Sequence, residues 1–155
     1  MSGITRSKVT RWTEGSPIPW RVLADGASTD GRFLIGEARI EPGAPCPSLH
    51  VHTHEHESVY VIEGVFTVEL GGERMELHAG DCVIMPPGVP HRFANLSDRL
   101  VRLVGTVSPA AIEGMFAAEE EYFATLEGPP DPERLAEITE PYGVTFLGGP
   151  LTRES

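Results

Sequence analysis

Between Phe33 and Val107 apolar and polar residues alternate in short runs, each broken by glycine, proline or aspartate. A period of two sends successive side chains to opposite faces of an extended strand, so the pattern predicts strands. Phe33 to Glu41 places Leu34, Gly36, Ala38 and Ile40 on the small and apolar side, with Glu37 and Arg39 facing away from the core. Glu57, Val59 and Val61, set against Ser58, Tyr60 and Ile62, predict another strand. Val65 to Leu70 and Arg74 to Leu77 read as two more, joined by a hairpin turn at Gly71-Gly72. Cys82 to Met85 is expected as a buried strand stopped by Pro86-Pro87. Pro86-Pro87-Gly88 then forms a rigid turn that sets where Val89 to Ala94 re-enters the sheet. Leu100 to Val107, nearly all apolar, completes the series. Ahead of it, Pro17 to Leu23 reads as a short irregular strand and Asp25 to Gly31 as a turn. About eight to ten short strands at this cadence suit a sandwich or a barrel.

The period changes at Ser108. Ser108-Pro109 reads as an N-cap followed by proline in the first helical turn. Ile112, Met115, Phe116, Tyr122, Phe123 and Leu126 then share one helical face. Gly128-Pro129-Pro130 breaks that helix, and Asp131-Pro132 caps a second with Leu135 and Ile138 inside, ended by Pro141. Val144 to Leu147 is expected as a last short strand. The chain divides into a leader with an edge strand (1–32), a β-barrel (33–108) and a helical tail (109–155). The tail's apolar stripe is expected to pack on the outside of the barrel, with a lid or a dimer contact as the sharper alternatives. Residues 1–16 are polar apart from Trp12, and such a leader suits a partner chain or a bare sheet edge.

A chain of 155 residues is long enough for one domain with a proper core. Twelve basic against 23 acidic residues give a net charge of −11, with no basic cluster. That balance repels phosphate backbones and anionic lipid, so neither nucleic acid nor membrane is expected as a partner. Neither a long apolar run nor a charged-then-apolar leader is present, and a soluble, cytoplasmic protein is expected. Two cysteines are too few for a disulfide framework. Cys82 reads as a small core residue on its apolar strand, and Cys46 as an inert loop residue.

Chemistry concentrates in two stretches. Four of the six histidines stand at 50, 52, 54 and 56. On an extended strand His50 and His52 face the same side, and Glu57 opens the next strand. Two imidazoles and a carboxylate from neighbouring strands make a partial shell for a borderline divalent metal. The stretch from Gly80 to Asn95 supplies a further histidine, His91.

Together these stretches resemble the cupin family. Its first motif is matched by His50, His52, Glu57 and Gly64, with Gly43 one residue further from His50 than usual. The second is matched by Gly80, Pro86, Gly88, His91 and Asn95, the only asparagine in the chain. The resemblance implies an all-β fold, a cupin jelly-roll barrel (a double-stranded β-helix) with the C-terminal helices outside. It also implies a metal centre with His50, His52, Glu57 and His91 as ligands. The register His52-x-His54 would leave Glu57 too close for the family spacing, so Thr53-His54-Glu55-His56 is expected at the turn between strands, with His54 and His56 as solvated rim residues. Glu57 and His54 are the candidate catalytic groups, His54 as an outer-shell group or proton shuttle. Strand parity assigns Val59, Val61 and Phe93 to an apolar substrate pocket. His78 is expected as an exposed turn residue, and Asn95 as a turn or strand-end residue and not a ligand.

The resemblance further implies one divalent transition metal per chain, iron favoured, with manganese, nickel, copper or zinc as other occupants. Small bacterial proteins grouped with the quercetin dioxygenases share the pattern, which suggests an oxygenase acting on an aromatic or apolar small molecule. A non-redox metal enzyme (polyketide cyclase, isomerase or decarboxylase) and a non-catalytic binding cupin are the alternatives. Pairing of such barrels through an edge strand suggests a homodimer.

Overall fold

The computed structural model describes residues 10–13 and 16–155, so most of the leader expected over residues 1–16 lies outside the described residues. Ten strands form two five-stranded sheets: β1 (Trp20–Ala24), β2 (Leu34–Ile40), β3 (His50–His52), β4 (His56–Glu63), β5 (Val65–Leu70), β6 (Glu73–His78), β7 (Cys82–Met85), β8 (His91–Ala94), β9 (Val101–Ser108) and β10 (Val144–Phe146). One sheet runs β1-β2-β9-β4-β7 and the other β10-β3-β8-β5-β6, every pairing antiparallel. The fold is a jelly roll of two facing sheets whose hydrogen bonding does not close into one continuous barrel. Chain neighbours β4 and β5 lie in different sheets, and Gly64 makes the corner between them with φ +87°. A Cβ at Gly64 would stand 2.5 Å from the Leu100 carbonyl oxygen, so glycine is the residue that fits.

The inner faces of the two sheets interdigitate in one large apolar cluster. Phe66, Val61, Val68 and Val101 are fully enclosed there, with Ile40, Val59, Val83, Met85, Leu77 and Leu103 around them. Phe93 packs against this cluster, its ring centroid 5.2 Å from that of Phe66. Asn95 ties the region together. Its buried amide donates to the Ile40 and Arg99 carbonyl oxygens at 2.7 Å each, and its carbonyl accepts from Ser97.

The tail forms α1 (Glu113–Phe123) and α2 (Pro132–Thr139), the first entered through a 3-10 turn at Ala110–Ile112. Asp131 caps α2, its carboxylate accepting from the Glu133 N–H, with proline in the first turn. Ser108 caps nothing. It ends β9, and its hydroxyl donates to the Arg32 carbonyl oxygen instead. Ile112 and Met115 join Val107 and Val144 in a second, smaller apolar cluster, flanked by Phe116, Ile138 and Tyr142. α1 also meets β1, where the Phe116 and Trp20 rings pack edge to face at 5.5 Å.

One other expectation changes. Cys82 is exposed, and β7 alternates exposed and buried residues, because it is an edge strand with one face to solvent. Cys46, in contrast, packs against the large cluster, and burial pushes its thiol up to about 11, partly opposed by a backbone hydrogen bond from Asn95. Glu37 faces away from the core as its parity requires, yet it is 5% exposed. Arg21 at 2.7 Å and Arg102 at 3.0 Å close over its carboxylate.

Candidate metal centre

Strand pairing gathers the three histidines, and the facing of the two sheets brings the carboxylate to them. His50 on β3 lies directly opposite His91 on β8, and His52 follows two residues along the same face. Glu57 enters from the other sheet, on β4, between Met85 of β7 and Val107 of β9. The β3 backbone is held on both sides. β10 pairs with it in the register Val144↔His52 and Phe146↔His50, and the Gly88 N–H donates to the His52 carbonyl oxygen at 2.8 Å. Gly88 takes φ +79° to complete the proline turn, so the second motif's turn clamps the first motif's ligand strand.

One ligand atom from each of His50, His52, Glu57 and His91 lies within 4.8 Å of all the others. The imidazole centroids stand 4.5–5.5 Å apart. Glu57 Oε2 is 2.8 Å from His91 Nε2 and 3.4 Å from His52 Nε2. The three rings are buried, at 1–6% exposure, and His91 Nε2 has no well-directed hydrogen-bond partner despite its short distance to Glu57. A buried nitrogen without a directed partner is costly in an apolar interior unless something accepts its lone pair. Three imidazole nitrogens and a carboxylate oxygen converging on one point fit a borderline divalent transition metal.

The electrostatics agree. Burial, followed by the charge of His91, pushes His50 down to about 4, so near neutrality its ring is uncharged and its Nε2 is free to coordinate. Burial alone would raise Glu57, but His91 at 2.8 Å and the other imidazoles around it outweigh that and hold the carboxyl below its ordinary range. Burial would lower His91, and Glu57 beside it reverses that and holds it above the usual histidine range. Ligands of this kind bind a metal in their deprotonated form and release protons as they do so.

His54 and His56 are exposed, outside the cluster, and so is His78. His54 lies beside Gly143, where a Cβ would stand 3.2 Å from its ring. Val59 and Val61 lie in the packed interior next to Glu57 on β4, and Phe93 follows two residues after His91 on β8. Glu55 is the residue that the reading by turns overlooked. It is 3% exposed, and its Oε2 lies 3.2 Å from His52 Nδ1. The signal was strand parity: Glu55 continues the inward series of Glu57, Val59 and Val61 by one step beyond the start of β4.

A family model described as Cupin domain matches residues 36–107. The chain is 32% identical over 132 residues to quercetin 2,3-dioxygenase of Bacillus subtilis, a match covering 81% of this chain and 39% of that protein. It is 39% identical over 78 residues to polyketide synthase CurC of Streptomyces cyaneus, 50% of either chain. The chain therefore spans half or less of the length of these relatives. Among solved structures, an RmlC-like cupin from Shewanella frigidimarina superposes with a TM-score of 0.54 at 25% identity, over 70% of this chain and 88% of that one. Both motifs lie within the matched segment, on the two sheets that bring their ligands together, and residues 36–107 are a cupin domain.

Proposed function

We propose that the protein is a metal-dependent oxygenase, of the dioxygenase kind, acting on an aromatic or otherwise apolar small molecule. The observation that carries this reading is the buried convergence of His50, His52, Glu57 and His91, which suits iron and accepts manganese, nickel, copper or zinc. The likeness to a quercetin 2,3-dioxygenase over most of this chain supports the reaction class. When bound, the metal would hold the substrate and supply redox chemistry toward O2. The protein's own residues do the rest. The imidazoles and Glu57 would hold the cation out of bulk water, and Val59, Val61 and Phe93 make the surroundings apolar. Glu57 takes and returns a proton at its Oε2, and His54 at the exposed turn exchanges protons with solvent. Elemental analysis of untagged protein purified without added metal, followed by O2 uptake with catechols and flavonols, tests this. Metal-loaded protein that consumes no O2 with any of them refutes it.

The likeness to CurC supports a second reading, a non-redox enzyme in which the metal polarises a substrate oxygen. Turnover by zinc-loaded protein without O2 selects it. Tight binding of a phenolic without product selects a binding cupin.

No described helix is long and apolar enough to cross a membrane. A cytoplasmic homodimer is part of the proposal. The outer face of β4, β7 and β9 presents Ser58, Tyr60, Ile62, Cys82, Ile84, Val104 and Thr106, with Ile84 60% and Tyr60 49% exposed. None of these is charged, in a chain of net charge −11; Arg102, next on the same side of β9, is paired with Glu37 and Glu63, and the face ends at the short edge strand β7. A second copy of this chain is the occupant proposed for that face. A halved mass for Ile84→Glu in sedimentation supports it, and an unchanged mass refutes it.

A further inference from the structure

The three histidines at the metal centre are anchored in two different ways. His50 Nδ1 lies 2.7 Å from the Ser48 carbonyl oxygen, and His91 Nδ1 lies 3.2 Å from that of Val89. Both anchors are neutral backbone acceptors two residues upstream of the histidine. His52 has a carboxylate instead, Glu55 Oε2 at 3.2 Å. Glu55 and His52 are each 3% exposed, so this is a buried contact. A buried carboxylate is costly without a partner, and the Nδ1–H of His52 supplies one. Once Nδ1 carries the proton, the lone pair of Nε2 is left for the centre, where Glu57 Oε2 stands 3.4 Å away.

We propose that Glu55 is a positioning residue for His52. It fixes the tautomer and the tilt of the ring, and its charge makes Nε2 a stronger donor than the corresponding atoms of His50 and His91. It also brings the carboxylates around the cation to two, so that a divalent ion and its surroundings together are neutral and not of net charge +1. This rests on the reading of the four-residue group as a metal centre. Substituting Glu55 therefore weakens metal binding without removing a ligand.

The test compares Glu55→Gln, Glu55→Ala and His52→Ala with the parent protein. Zn(II) affinity is measured by competition with a chromophoric chelator, the ligand-field spectrum with Co(II), and apo stability by thermal unfolding. Glu55→Ala should bind Zn(II) about 10–100-fold more weakly. Glu55→Gln, whose amide oxygen still accepts from Nδ1, should fall between it and the parent. Both should shift the Co(II) bands. Parent-like Zn(II) affinity and an unchanged Co(II) spectrum in both variants overturn the role, even where apo stability falls. If Glu55→Ala does not fold, the near-isosteric Glu55→Gln decides by the same two readouts. His52→Ala separates the two levels. Parent-like Zn(II) binding in that variant sinks the metal centre itself, whereas its loss beside unaffected Glu55 variants sinks only this inference.

Discussion

Two apolar clusters flank the ligands, and they are built differently. The larger draws on strands alone, with Phe66, Val61, Val68 and Val101 enclosed between the sheets. The smaller joins the end of β9 to α1 and β10 through Val107, Ile112, Met115 and Val144. Glu57 links them directly, since its strand partners are Met85 of the first cluster and Val107 of the second. A polar layer suited to a metal ion thus has a sheet-built wall on one side and, on the other, a wall that the tail shares with the end of β9. The sheet wall is tied in by hydrogen bonds along every strand, whereas the start of the helical tail is held by a few, the Ala110 N–H to the Gly31 carbonyl oxygen and the Gly26 N–H to the Glu113 carboxylate.

Breaking the layer itself should have the largest effect. His91→Ala removes one ligand and should abolish both bound metal and turnover, as read by elemental analysis and activity; stoichiometric metal in the purified variant would contradict the assignment. Phe66→Ala empties the sheet-built wall and should cost about 3–5 kcal/mol in urea unfolding. The molecules that remain folded should still bind metal normally. Met115→Ala strikes the helical wall and should cost less, about 2–3 kcal/mol. Its distinguishing mark is a changed KM for substrate, so equal stability losses with no kinetic change would erase the contrast between the walls.

The smallest effect belongs to Glu37, which lies outside both. Hydrogen bonds from Arg102 and then Arg21, working against burial, hold its carboxyl below the ordinary 4.5. A carboxyl with a depressed folded-state pKa stabilises the fold above its unfolded-state value, and that stability disappears as pH falls through the folded-state value. Glu37→Gln should lower Tm by about 2–6 °C at pH 7, with the gap to the parent closing below about pH 4.5.

Period-two alternation made most strands legible, and motif spacing made the four ligands legible, because both depend on residues close in sequence. What the pattern could not supply depends on distant partners. Cys82 looks buried among its strand neighbours, and only the sheet order places it on an edge with a face to water. Glu37 keeps its expected direction, but its burial comes from Arg21 and Arg102, which belong to two other strands. Glu55 was hidden for the opposite reason. Its short segment reads as a turn by composition, and the carboxylate's burial depends on His52 three residues away, which a solvated-loop reading does not consider. Ser108 carries the sequence of a helix cap, yet its hydroxyl is drawn off by the Arg32 carbonyl oxygen.

The pairing of β10 with β3 has a consequence for the order in which the molecule is made. Thr53, at the end of the ligand strand, bonds to Gly143 across 90 residues. On the ribosome, His50 and His52 therefore emerge long before the strand that fixes their backbone. Such long-range closure is slow, and the β10 side of the ligand strand stays unpaired until residues 144–146 have been made.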